Sequence, residues 1–172
     1  MKKIDSIGIV GGGPAALFVV KHLISENVCP ETIYIFEKST RLGAGMPYRR
    51  QGAAHEHVAN VSANELPELP ESFTSFIQRK PYKDYEGFGN DQDINEYKVI
   101  PRLVLGDYLE EEFKILLKNI RKMGTQVKVF TETTVTDIRK KEDSFEIVTH
   151  KDNVYECSVA IICAGHHWHR NP

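Results

Sequence analysis

Six residues near the amino terminus, Gly11-Gly12-Gly13-Pro14-Ala15-Ala16, have a spacing suited to bringing backbone close to a negatively charged group. In this G-x-G-x-x-A run the first glycine permits a tight turn and the second lets the chain approach a pyrophosphate. The small residue at Ala16 lets a helix pack closely on a strand. Pro14 falls in the first helical turn, where its missing N–H costs nothing. The unpaired N–H groups of that turn, together with the helix dipole, favour a diphosphate. About 20 residues further on, Glu37 closes the next apolar run. A carboxylate there can accept both hydroxyls of an adenosine ribose, and it would repel a 2′-phosphate, which argues against NADP at this position.

A second small-residue segment, Gly43-Ala44-Gly45, follows Glu37 and would let the chain pass beside an extended dinucleotide. With it come Met46-Pro47-Tyr48, Val58-Ala59-Asn60-Val61, Pro101-Arg102, Gly106-Asp107-Tyr108-Leu109 and the terminal Ala160-Ile161-Ile162-Cys163-Ala164-Gly165. On these motifs the chain resembles the FAD-binding domain of the glutathione-reductase-like flavoproteins, and more narrowly the FAD-NAD(P)-binding family, from Ile4 to about His166. The resemblance implies that Gly11, Gly13, Pro14, Ala15 and Ala16 hold the FAD diphosphate and that Glu37 holds the adenosine ribose. It further implies that Lys38 covers the adenine, that Gly43 and Gly45 lie along the cofactor, and that the backbone of the strand containing Val135 approaches the adenine. Ala164-Gly165 would be the family's strand end beside the cofactor, with Cys163 and Ala164 departing from the usual Ala-Thr pair. Arg102 has two open readings, a cation near the isoalloxazine or diphosphate and an ordinary surface cation. The later Gly-Asp segment and second nucleotide unit of such flavoproteins have no counterpart after Gly165, so the chain is expected to be the amino-terminal part of a longer flavoenzyme or a standalone relic.

The elements that must position these residues are legible in the periodicity. Ile4 to Val10 is a strand, Ala15 to Ile24 a helix and Thr32 to Phe36 a second strand, giving a β-α-β unit with a parallel pair. Residues 38–100 lose periodicity and are expected to form an insertion with short helices, one near Glu71 to Gln78. Val104 to Met123 repeats apolar residues at helical spacing. Gln126 to Phe130 is expected to return to the sheet, and Thr134 to Lys140 and Ser144 to His150 to start an antiparallel meander. Ser158 to Cys163, continuously apolar, is expected to be a strand buried on both faces. The fold class is therefore α/β: a Rossmann-type parallel sheet with a helical insertion after the second strand and a β-meander crossover, as one domain over residues 1–172.

Composition excludes several classes. Lys+Arg 22 against Asp+Glu 24 leaves a formal charge of −2, without the basic stripe of a nucleic-acid binder. No apolar run approaches the roughly 20 residues of a membrane span, and no signal-peptide core precedes the glycines. A cytoplasmic protein is expected. Cys29, Cys157 and Cys163 form no C-x-x-C pair, and His55, His57 and the terminal histidines have no ligand spacing with Cys or carboxylate, so no metal is expected. The expected function is non-covalent FAD binding in an oxidoreductase, with NAD(P)H a candidate electron donor, a small-molecule substrate and no assignable catalytic residue. Two rivals stand beside it: an NAD-binding dehydrogenase or sensor, and a noncatalytic interaction module that keeps the fold.

Overall fold

The computed structural model describes residues 4–80 and 96–165. Strand β1 (Ser6–Val10) leads through the glycine turn into helix α1 (Pro14–Ser25), and β2 (Thr32–Phe36) pairs parallel with β1. The insertion then contributes a 3-10 turn (Met46–Tyr48), strand β3 (Val58–Ser62), a second 3-10 turn (Ala63–Glu65), helix α2 (Phe73–Arg79) and strand β4 (Val99–Pro101). Helix α3 (Arg102–Lys122) and β5 (Gln126–Phe130) return the chain to the sheet. The meander β6 (Val135–Lys140), β7 (Phe145–Thr149) and β8 (Val154–Cys157) precedes β9 (Val159–Ile162). The parallel sheet runs β5-β2-β1-β9 and the meander β6-β7-β8.

Strand alternation divides the sheet between two layers. Ile7, Ile9, Ile33 and Ile35 face the helices and pack with Ala16, Leu17 and Val20 of α1 and with Leu105, Leu109, Phe113 and Leu116 of α3. On the opposite face Val10, Tyr34, Phe36 and Phe130 pack against Ile147, Tyr155 and Cys157 of the meander. The rings of Phe36 and Phe130 stack with centroids 5.2 Å apart, and Tyr155 lies 4.7 Å from Phe130. Hydrophobic burial on both faces makes β1 and β2 the rigid centre of the molecule.

Two expectations change. Strand β9 is an edge of the four-stranded sheet whose two faces are covered only in part: Val159 and Ile161 pack on the helical core and Ala160 on the meander cluster, while Ile162 is 68% exposed. The insertion contains helix α2, capped by Ser72 through a hydrogen bond from Ser75 N–H (3.1 Å), but also the antiparallel β3–β4 pair. That pairing spans residues far apart in sequence and leaves no local periodicity to read.

Candidate functional site at the strand ends

The carboxyl ends of β1, β2 and β9 meet where the sheet order changes direction on either side of β1, which is where open α/β sheets bind ligands. Backbone bonds fix this rim. Gly11 N–H donates to the Phe36 carbonyl (2.8 Å), Cys163 N–H to Val10 (2.7 Å) and Gly43 N–H to Gly12 (2.7 Å). Gly11 has φ +100°, and a Cβ there would collide with the Cys163 carbonyl oxygen, so the turn requires glycine on both counts. Gly45 lies over the turn: a Cβ on Gly13 would stand 3.3 Å from its Cα. The sequence-predicted segments Gly11–Ala16, Gly43–Gly45 and Cys163–Ala164 are thus brought to one place.

Helix α1 opens there at Gly13, with Pro14 at its first turn, no side-chain cap and no acidic residue in the first turn. The positive end of the helix therefore carries no counter-charge of its own. Glu37 lies beneath the turn and is 5% exposed. Its Oε2 accepts Gly12 N–H (2.8 Å), and its Oε1 accepts Ser39 N–H (2.9 Å) and Ser39 Oγ–H (2.7 Å). Two carboxylate oxygens offer about four acceptor positions, so three donors leave capacity for another.

A cation that the sequence did not single out completes the arrangement. Arg49 Nε donates to the Gly45 carbonyl (3.0 Å), and its Nη1 stands 3.8 Å from Glu37 Oε1, with the side chain 12% exposed. Arg-Arg at positions 49 and 50 in an aperiodic loop gives no pattern; closeness to Gly45 in sequence was the one available signal. Arg102, by contrast, is held on the β3–β4 pair: its N–H donates to His57 and its Nε to the Val58 carbonyl (3.0 Å), with no bond to the glycine turn.

The remaining predicted residues surround the rim. Lys38 is exposed. Val135, at the start of β6, packs partly buried in the cluster around Phe36, and the segment before it is tied down by Thr133 N–H to Glu37 O and Glu132 N–H to Ser39 O. Ala164 and Gly165 are exposed, Gly165 at φ +74°. Segment 39–45 is pinned to α3 by Arg41, which donates to Asp107 (2.6 Å) and to Glu110. Burial acts to raise the Glu110 pKa, but the hydrogen bonds from Lys114 and Arg41 outweigh it and hold the carboxyl below its ordinary range. Burial pushes the Cys163 thiol up, leaving it protonated and unreactive.

The rim thus sets an uncapped helix start beside a buried carboxylate that retains acceptor capacity. Among the described residues no group of three or more His, Cys, Asp or Glu could hold a metal ion, and no helix is long and apolar enough to cross a membrane.

Comparison with known proteins bears on this rim. The family model for FAD-NAD(P)-binding proteins matches residues 8–167. YdhS of Escherichia coli (strain K12), an uncharacterized protein, is 28% identical over 170 residues, covering 98% of this chain and 31% of that protein. Among solved structures, the bacillithiol disulfide reductase Bdr (YpdA) from Staphylococcus aureus superposes with a TM-score of 0.57 at 21% identity, over 96% of this chain and 39% of that one. A cyclohexanone monooxygenase mutant from Rhodococcus sp. Phi1 bound to NADP+ gives 0.60 at 17% identity, over 94% and 26%. The chain spans under two-fifths of the length of these relatives.

Proposed function

Because the chain belongs to the FAD-NAD(P)-binding family, we propose that the rim holds FAD as part of a flavin-dependent oxidoreductase, with NAD(P)H or substrate as the hydride donor. The observation that carries this reading is the uncapped start of α1 at Gly13, set between the Glu37 carboxylate and the Gly45 backbone. These residues fit the cofactor: the N–H groups of Ala15 and Ala16 suit a diphosphate, and Glu37 retains an acceptor position for a ribose hydroxyl.

FAD, when bound, supplies the hydride chemistry; the protein binds and orients it. In this reading Gly11, Gly13, Pro14, Ala15 and Ala16 form the phosphate cradle, and Arg49 adds a cation at its edge. Glu37 fixes the ribose and rejects a 2′-phosphate by charge. Lys38 and the backbone at Val135 flank the adenine, while Gly43, Gly45, Ala164 and Gly165 let the chain run close along the ligand. Arg102 serves the neighbouring β3–β4 pair. The family match supports this assignment, and the likeness to the disulfide reductase supports the fold it needs.

The test is the visible absorbance of the purified native protein, followed by reduction with NADH and NADPH separately. The expected result is a retained flavin spectrum that Gly13→Leu abolishes and Glu37→Arg weakens. Protein that binds NADH and never takes up flavin would overturn the FAD assignment, as would unchanged FAD affinity in both variants.

A further inference from the structure

The loop from the first 3-10 turn to β3 is shaped by its own backbone. Gly52 and Ala53 N–H both donate to the Arg49 carbonyl (2.8 and 2.9 Å), and His57 N–H donates to Ala54 (3.2 Å). Arg102 N–H clamps the far end through the His57 carbonyl (2.9 Å). A Cβ at Gly52 would collide with the Met46 carbonyl, so the loop folds back onto the residue that follows Gly45. This frame borders an open surface cavity of about 450 Å³ lined by residues 50–57 and Leu103, most of them exposed.

The cavity's chemistry is mixed in a specific way. Arg50 Nη1 lies 3.3 Å from His55 Nε2, and among the described residues Arg50 has no carboxylate partner. Glu56 lines the same wall and has no cationic partner among the described residues. His57 Nδ1 accepts Ala54 N–H (3.2 Å), which leaves the neutral ring's proton on Nε2 as a donor. Leu103 and Ala53, 6% and 8% exposed, supply an apolar floor. A guanidinium and a carboxylate that share a cavity without pairing present opposite charges to whatever enters it, and guanidinium geometry matches a carboxylate.

We infer that this cavity binds a small zwitterion of amino-acid type, its carboxylate on Arg50, its ammonium on Glu56 and its side chain over Ala53 and Leu103. As a binding site it stands on the loop alone. As the site of the oxidoreductase substrate it rests on the assignment of the glycine rim to FAD.

The experiment titrates the full chain with L-alanine, L-leucine and L-glutamate, and with propionate and propylamine as half-ligands, following the ring resonances of His55 and His57 by NMR. Flavin retention is read on the same samples. Saturable shifts with at least one amino acid, about tenfold weaker with either half-ligand, are expected. Arg50→Gln should abolish the amino-acid shifts, Glu56→Gln should weaken affinity about tenfold, and the exposed-site control Lys118→Gln should leave it unchanged. Absence of saturable shifts, or propionate binding as tightly as the amino acids with Glu56→Gln silent, overturns the inference. Amino-acid binding in protein that takes up no flavin supports the cavity and overturns the FAD reading; flavin uptake without amino-acid binding does the reverse.

Discussion

The parallel sheet and the inserted segment after β2 share one apolar core, but the insertion adds charged bonds that the sheet does not use. In the sheet, Ile9, Ile33 and Ile35 are fully buried and the strand ends are locked by backbone bonds such as Gly11 N–H to Phe36 O. The insertion is buried against α3 through Phe73, Phe76 and Ile77, with the Phe73 and Phe76 rings each 5.3 Å from Tyr108, and it adds polar bonds to the same helix: Arg41 to Asp107 and Glu110, Arg79 to Glu111, and Glu71 N–H to Glu112. Burial fixes both regions, and the half-exposed charge pairs of the insertion are the part that single substitutions can retune. The rim lies where the sheet and the insertion meet.

The largest effect expected from breaking the frame is Gly11→Val. A β-branched side chain at φ +100°, with its Cβ driven into the Cys163 carbonyl, should cost more than about 3 kcal/mol in urea unfolding. A loss below about 1 kcal/mol would mean that β9 is not seated against the turn.

Next is Glu112, fully buried where the insertion packs on α3. Its Oε2 accepts Glu71 N–H (3.1 Å), while Oε1 has no partner among the described residues. Burial pushes its pKa up to about 7, nearby Glu71 and Glu111 add to the rise, and the Glu71 hydrogen bond and Arg79 oppose it. The folded value lies above the ordinary 4.5, so its stabilising effect is present below that pH and is lost as pH rises through about 7. Glu112→Gln should therefore match the wild type near the lower value and exceed it by about 2 kcal/mol at higher pH. Melting curves across that window would show it, and parallel curves for the two proteins would contradict it.

Arg49 sharpens the contrast from the ligand side. Arg49→Gln should remove about tenfold of affinity for ADP while leaving adenosine binding unchanged. Equal losses for both ligands would make Arg49 only a support for Glu37. The smallest effect is Lys114→Ala, which breaks an exposed pair with Glu110 (2.8 Å) and should cost about 0.3 kcal/mol, vanishing at high salt.

The same contrast explains what could be read from the sequence. Gln126–Phe130, α1 and α3 were legible because strand and helix periods survive wherever a face is buried. Even Glu112 lay in plain view, three residues from Leu109 on the apolar stripe, though it sits in an acidic triplet that looks solvated. Glycine spacing and Glu37 marked the rim because its steric demands are local. The β3–β4 pair, Arg49 and the Arg50–His57 cavity were not legible, since they arise from contacts between distant stretches that share no period. The apolar run of β9 overstated its burial: both faces are covered in part, but Ile162 stands exposed on an edge strand.

The three donors that grip Glu37 have a kinetic meaning. Gly12 and Ser39 hold its carboxylate in one orientation, so under the proposed assignment no rotor has to be frozen when a ribose binds. Loosening that grip, for instance by Ser39→Ala, should let a bound nucleoside escape sooner.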